Sequence, residues 1–86
     1  MAEIIIYTKD YCPYCVRAKK LLEIKGKKFR EIDVTHDEAL QKEMVQKSGG
    51  RRTVPQIFIA DKHVGGADDL YALDKDGKLD ELLNAV

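Results

Sequence analysis

The chain has 86 residues, 44% of them hydrophobic, with 15 basic and 15 acidic side chains and a formal net charge of zero. That length supports one domain around a single small core, residues 1–86, and the balanced charge speaks against a nucleic-acid binder, which carries a basic excess. No apolar run approaches the roughly 20 residues that cross a bilayer. Met1-Ala2-Glu3 before Ile4-Ile5-Ile6 lacks the basic start and the length of a signal peptide, so a cytoplasmic location is expected.

Ile4-Ile5-Ile6-Tyr7 is an unbroken β-branched and aromatic run, the pattern of a strand buried on both faces. Thr8-Lys9-Asp10-Tyr11 then reads as a loop. Pro13 suits the first turn of a helix, where its missing N–H costs nothing. Behind it Cys15, Ala18 and Leu22 recur at helical spacing, Arg17, Lys19 and Lys20 fall mainly on the other side, and Gly26 supplies a stop. Ile32 and Val34 alternate with Glu31 and Asp33 as a second strand. Asp37 or Thr35 caps a second helix carrying Leu40, Met44 and Val45, which Ser48-Gly49-Gly50 ends.

Val54 to Ile59 reads as a third strand with Pro55 confined to its start, and Asp61-Lys62 as a tight turn into a short fourth strand at His63-Val64. Asp68 is expected to cap a helix holding Leu70, Tyr71 and Leu73. After Gly77, the spacing of Leu79, Leu82, Leu83 and Val86 predicts a last amphipathic helix. The order β-α-β-α-β-β-α-α, without repeat or linker, predicts an α/β fold with helices packed on one small, mostly buried sheet.

The two cysteines stand three residues apart in Cys12-Pro13-Tyr14-Cys15. A bridge between them closes almost no loop and restrains the unfolded chain very little, so the pair points to reactivity rather than to a structural disulfide. Cys12 falls at or just before a helix start, where free N–H groups and the positive end of the helix dipole favour an anion. Lys9 before it and Arg17, Lys19 and Lys20 after it add positive charge. The thiolate is the nucleophile in such chemistry, and Cys-X-X-Cys sites raise its share, so Cys12 is expected to attack first. Cys15, one turn further in, faces the core and serves as the resolving thiol. At i, i+3 the Cβ atoms lie ~5–6 Å apart and need only a small adjustment to reach the ~3.5–4.5 Å of a disulfide. The plainer reading makes Cys15 a small buried hydrophobe.

A metal site is short of ligands: zinc takes four, the pair supplies two, and His36 and His63 are not at finger spacing. Val16 stands where haem attachment would need histidine, and an iron–sulfur cluster within one chain lacks ligands equally. Two further segments can complete a site. Thr53-Val54-Pro55 is a candidate to pass near the first helix, and with only ~5–6% of X–Pro bonds cis, the local sequence predicts a trans peptide. Gly65-Gly66-Ala67-Asp68-Asp69 is either a helix cap or a binding loop, whose free N–H groups receive a carboxylate and whose Asp receives an amine.

Four blocks, Tyr7-Thr8-Lys9, Cys12-Pro13-Tyr14-Cys15, Thr53-Val54-Pro55 and Gly65-Gly66 followed by Asp68-Asp69, resemble the glutaredoxins in order and spacing, and among them the small dithiol kind found in bacteria. The resemblance covers nearly the whole chain. It implies a thioredoxin-like fold: a four-stranded mixed sheet flanked by helices, with a cis Pro55 opposite the dithiol. It also implies a glutathione-dependent oxidoreductase that reduces protein disulfides and glutathione mixed disulfides, with glutathione as co-substrate and no tightly bound cofactor or metal.

By the same resemblance, Lys9 meets the glycine carboxylate of glutathione, with Arg52 a weaker candidate there and Arg51 as readily simply solvated. Tyr14 lines the groove, Thr53 and Val54 pair with the cysteine of glutathione as an added strand does, Pro55 lies beside them, and Asp68 and Asp69 hold the γ-glutamyl end. Ala67 departs from related bacterial sequences, which often place a further cysteine there. The implied partners are glutathione and disulfide-containing or glutathionylated proteins, ribonucleotide reductase among them, with a monomeric chain and neither nucleic acid nor membrane. A thioredoxin-type reductase is the near rival, disfavoured because the chain has no Trp. A cluster carrier built from two chains is another, disfavoured by Pro13.

Overall fold

In the computed structural model, residues 3–84 are described, so Met1, Ala2 and the expected helix position Val86 lie outside the described residues. The strand β1 (Ile4–Thr8) organises the rest. It pairs in parallel with β2 (Arg30–Asp33) and antiparallel with β3 (Gln56–Ile59), and β3 pairs antiparallel with β4 (Lys62–Gly65), giving the mixed sheet order β2-β1-β3-β4. The helices are α1 (Pro13–Ile24), α2 (Glu38–Lys47), α3 (Ala67–Lys75) and α4 (Lys78–Asn84). The eight elements follow the predicted order, and the fold is thioredoxin-like.

Period-two alternation sorts the two cores. Ile4 and Ile6 of β1, with Ile57 and Ile59 of β3, pack against Ala18, Leu21 and Leu22 of α1, Leu70 of α3, and Leu79 and Leu83 of α4. On the other face Tyr7 and Phe58 pack with Val34 and Met44, joined by Leu40 and Val45 of α2. With helices on both faces, a central strand has no solvent side, which is why its sequence is an apolar run rather than an alternation.

Several expected boundaries move, each for a local reason. Thr8 is strand rather than loop: it pairs with Asp33, and its buried hydroxyl donates to Glu31 at 2.7 Å. Val34 lies just past β2, wholly buried, its N–H bonded to the Thr8 carbonyl at 2.9 Å. Val54 and Pro55 precede β3 instead of opening it. The hairpin turns at Ala60-Asp61 rather than Asp61-Lys62, with φ of 53° and 64° at its two central residues, the left-handed pair that matches the twist of antiparallel strands. Asp37, not Thr35, caps α2, its carboxylate accepting the Leu40 N–H at 3.0 Å. Thr35 instead accepts from the Asp10 N–H. The cap of α3 is Gly66 rather than Asp68, because Asp69 reaches back to accept the Gly66 N–H at 2.9 Å and starts the helix at Ala67.

Leu22 is fully buried between α1 and the sheet. Leu22→Ala should lower stability by about 2–5 kcal/mol; chemical denaturation checks it, and a loss under about 1 kcal/mol would show a looser core than described.

Candidate active site

The parallel crossover from β1 delivers the chain to the N-terminus of α1, and Cys12 is the N-cap of that helix. Its backbone is extended, with φ −108° and ψ 101°, while its carbonyl already accepts from the Val16 N–H at 3.1 Å. The Cys12 sulfur takes the place of a capping oxygen and accepts the Cys15 N–H at 3.2 Å. It also stands 3.7 Å from the Val54 carbonyl oxygen. Cys12 is partly exposed; Cys15 is only 2% exposed, and both are free thiols. Burial, reinforced by the hydrogen bond and charge of Cys12, pushes the Cys15 thiol up to about 12, against the opposing pull of the Lys9 backbone and the Lys19 charge.

Two of the cations expected around Cys12 are engaged elsewhere. The Lys19 ammonium pairs with Glu31 at 3.0 Å, and the Arg17 guanidinium lies 5.2 Å from the centroid of the Tyr71 ring. Burial works to raise the Glu31 carboxyl, but hydrogen bonds from Thr8 and Lys19 outweigh it and hold it below the usual carboxylate range. Lys9 lines a cleft with Cys12, Pro13 and Cys15, and Lys20 is exposed.

On the other side of Cys12 runs a groove of about 230 Å³, lined by Tyr14, Thr53, Val54, Pro55, Asp68 and Asp69, six of the residues expected to bind glutathione. The Val54–Pro55 peptide is cis. The trans expectation from local sequence is therefore wrong, and the family resemblance had the isomer right. Gly65, at φ 118°, is bound to be glycine: a Cβ there would overlap the Asp69 carboxylate.

Two arginines part company. Arg51 is not simply solvated; it lines this groove and pairs with Asp69 at 3.4 Å. Arg52 lines a different cleft, together with Lys9 and α2.

A buried support beneath the groove was not anticipated. Gln56 is wholly buried, and its side-chain amide donates to the Thr53 carbonyl at 2.9 Å and to the Thr53 hydroxyl at 3.2 Å. The His63 ring, packed 5.0 Å from Phe58 between centroids, meets the Gln56 carbonyl oxygen through Nε2 at 2.7 Å. Burial and the Arg51 charge depress the imidazole below its ordinary value despite Asp69, so the ring is neutral at pH 7 and Nε2 carries the donating hydrogen. A glutamine inside the apolar Val54–Ile59 run was the available signal, since a buried amide must find partners.

The glutaredoxin family model matches residues 4–64. Glutaredoxin 3 of Escherichia coli K12 is 57% identical over 83 residues, covering 96% of this chain and 99% of that protein. The solution structure of a glutaredoxin from Brucella melitensis superposes with a TM-score of 0.84 at 58% identity, over 96% of this chain and 89% of that one. The crystal structure of a buckwheat glutaredoxin–glutathione complex gives 0.88 at 36% identity, over 98% and 78%.

Gln56→Leu strands the Thr53 carbonyl and should cost about 1–3 kcal/mol. It should also displace the backbone amide resonances of Thr53 and Val54 more than those of α4. Equal stability with unmoved Thr53 and Val54 resonances would show that the loop does not depend on this amide.

Proposed function

The chain belongs to the glutaredoxin family, and from that premise we propose that it works through one unequal dithiol, Cys12 attacking and Cys15 resolving. It is a glutathione-dependent thiol–disulfide oxidoreductase. The observation that supports the division of labour is the contrast between the two sulfurs. Cys12 is partly exposed and receives an N–H donor at a helix start, which stabilises negative charge on sulfur; Cys15 is buried and held as a thiol.

In the dithiol route the Cys12 thiolate attacks a substrate disulfide, forming a Cys12–substrate bond and releasing the other substrate sulfur as a thiolate that takes a proton. Cys15 then loses its proton and attacks the Cys12 sulfur, expelling the second substrate thiol and leaving the oxidised Cys12–Cys15 pair. One glutathione opens that pair by bonding to Cys12. A second attacks the bound glutathione, forming glutathione disulfide and returning Cys12 as thiolate. While Cys12 is anionic, its charge and hydrogen bond help keep Cys15 protonated. A mixed disulfide on Cys12 removes that charge, so Cys15 becomes easier to ionise at the step that needs it. In the monothiol route Cys12 takes glutathione from a glutathionylated substrate, a second glutathione releases it, and Cys15 is dispensable.

Glutathione lies along the groove with its cysteine against the Thr53-Val54 backbone, in the manner of an added strand. Tyr14 and Pro55 flank it. Its γ-glutamyl carboxylate meets the N-terminus of α3 at Asp68, where a helix's first-turn N–H groups lack intrahelical partners, and its amine meets the Asp69 carboxylate now shared with Arg51. Its glycine carboxylate faces Lys9, with Arg52 beside it. Glutathione is a co-substrate that leaves in each cycle. The protein clients are disulfide-bearing or glutathionylated proteins of the cytoplasm, with ribonucleotide reductase a candidate from family likeness. We take the chain to act as one monomeric domain. Among the described residues, no helix is long and apolar enough to cross a membrane.

Cys12→Ser should abolish all turnover, whereas Cys15→Ser should lose reduction of protein disulfides and keep removal of glutathione from a mixed disulfide. Assaying both substrates on both variants tests this. Equal loss of the two activities in Cys15→Ser would contradict the two routes.

A further inference from the structure

The cleft that Lys9 and Arg52 share with α2 has a volume of about 560 Å³, more than twice the roughly 230 Å³ of the groove beside the dithiol. One wall is a helical stripe, Glu38, Gln41, Lys42, Val45 and Gln46, at i, i+3, i+4, i+7 and i+8. Among the described residues none of Lys9, Lys42 and Arg52 makes an ion pair, and Glu38 is the one carboxylate in the cleft lining.

Glutathione uses little of this space. Beyond its cysteine only a glycine remains, about 3.5 Å of extended chain, whereas the stripe from Glu38 to Gln46 runs about 12 Å along the helix. A protein substrate differs here in two ways. Its chain continues past the cysteine, and the next residue presents a neutral amide where glutathione presents a carboxylate. Lys9 and Arg52 then lose their anion, and only acidic side chains further along can replace it.

We propose that this cleft receives the polypeptide following the reactive cysteine of a protein disulfide, and that its three cations select acidic residues roughly two to four positions beyond that cysteine. The inference rests on the placement of glutathione proposed above, because the direction of the chain along Val54 decides which end of a substrate faces α2. Half-buried Val45 supplies an apolar surface in the cleft wall against which the stems of such residues can lie.

The test uses two peptides, each with one cysteine and an amidated C-terminus, alike except for acidic or neutral residues at those positions. Each is oxidised to its symmetrical disulfide, so that either sulfur attacked carries the same flanking sequence. Reduction consumes two glutathiones and yields two peptide thiols and glutathione disulfide. An exposed carboxylate–cation pair is worth a factor of roughly 1.5 to 5, so kcat/KM at low salt should favour the acidic peptide by about three- to tenfold. That ratio should shrink as salt rises. Lys42→Glu should bring the ratio to one or below. Lys28→Glu, which makes the same charge change in the loop before β2 at the far end of the sheet from the dithiol, should preserve it.

A wild-type ratio near one, a ratio that survives Lys42→Glu, or one that falls equally in Lys28→Glu overturns the proposal. Turnover of a glutathionylated small thiol by the wild type is measured alongside. Its absence would overturn the glutathione reading itself, whereas its presence with a peptide ratio near one overturns the cleft alone.

Discussion

The N–H of Cys15 donating to the sulfur of Cys12 is the interaction on which the site turns. It makes Cys12 the cap of α1, so the same geometry that starts the helix also sets the sulfur proposed to attack at the positive end of the helix dipole. The sheet makes this possible. β1 lies at its centre, paired on one side with β2 and on the other with β3, and it delivers Cys12 beside the segment that leads into β3. That adjacency puts the Val54 carbonyl 3.7 Å from the Cys12 sulfur, although the two residues are 42 positions apart. The rest of the groove, at Pro55 and at the start of α3, follows from the antiparallel hairpin of β3 and β4.

Two cores of unequal size hold this arrangement. The larger joins β1 and β3 to α1, α3 and α4, and so couples the helix bearing the dithiol to the helix whose N-terminus lines the groove. The smaller joins the opposite face to α2, the wall of the second cleft. On the Phe58 face of β3 a polar thread runs from exposed His63 through buried Gln56 to Thr53, fixing the loop with neutral groups. Neutral hydrogen bonds suit the place, since a buried unpaired charge would cost far more than a satisfied amide.

Much of this was legible from residues alone. The order of elements came from periodicity, and the unbroken Ile4–Tyr7 run predicted a strand with no solvent face. Cys12 at a helix start followed from Pro13 and the spacing behind it. What stayed hidden depends on contacts distant in sequence. Asp69 competes with Asp68 for the helix start, and it wins because its carboxylate reaches the Gly66 N–H, which no local rule ranks. Arg17 and Lys19 look like cations near a thiolate, but Tyr71 and Glu31, on α3 and β2, draw them away. The two adjacent arginines differ only because Arg51 finds Asp69 across the groove and Arg52 lines the cleft with Lys9.

The central claim is the inequality of the two sulfurs, and the most direct measurement is the rate of alkylation at each cysteine as a function of pH, read by mass spectrometry. Cys12 should be modified alone at neutral pH. Cys15, held up to about 12 by burial and by Cys12, should stay protected until strongly alkaline conditions, and should react at lower pH in Cys12→Ser, which removes the anion beside it. Preferential labelling of Cys15 at neutral pH, or no change in Cys15 on replacing Cys12, would contradict the account.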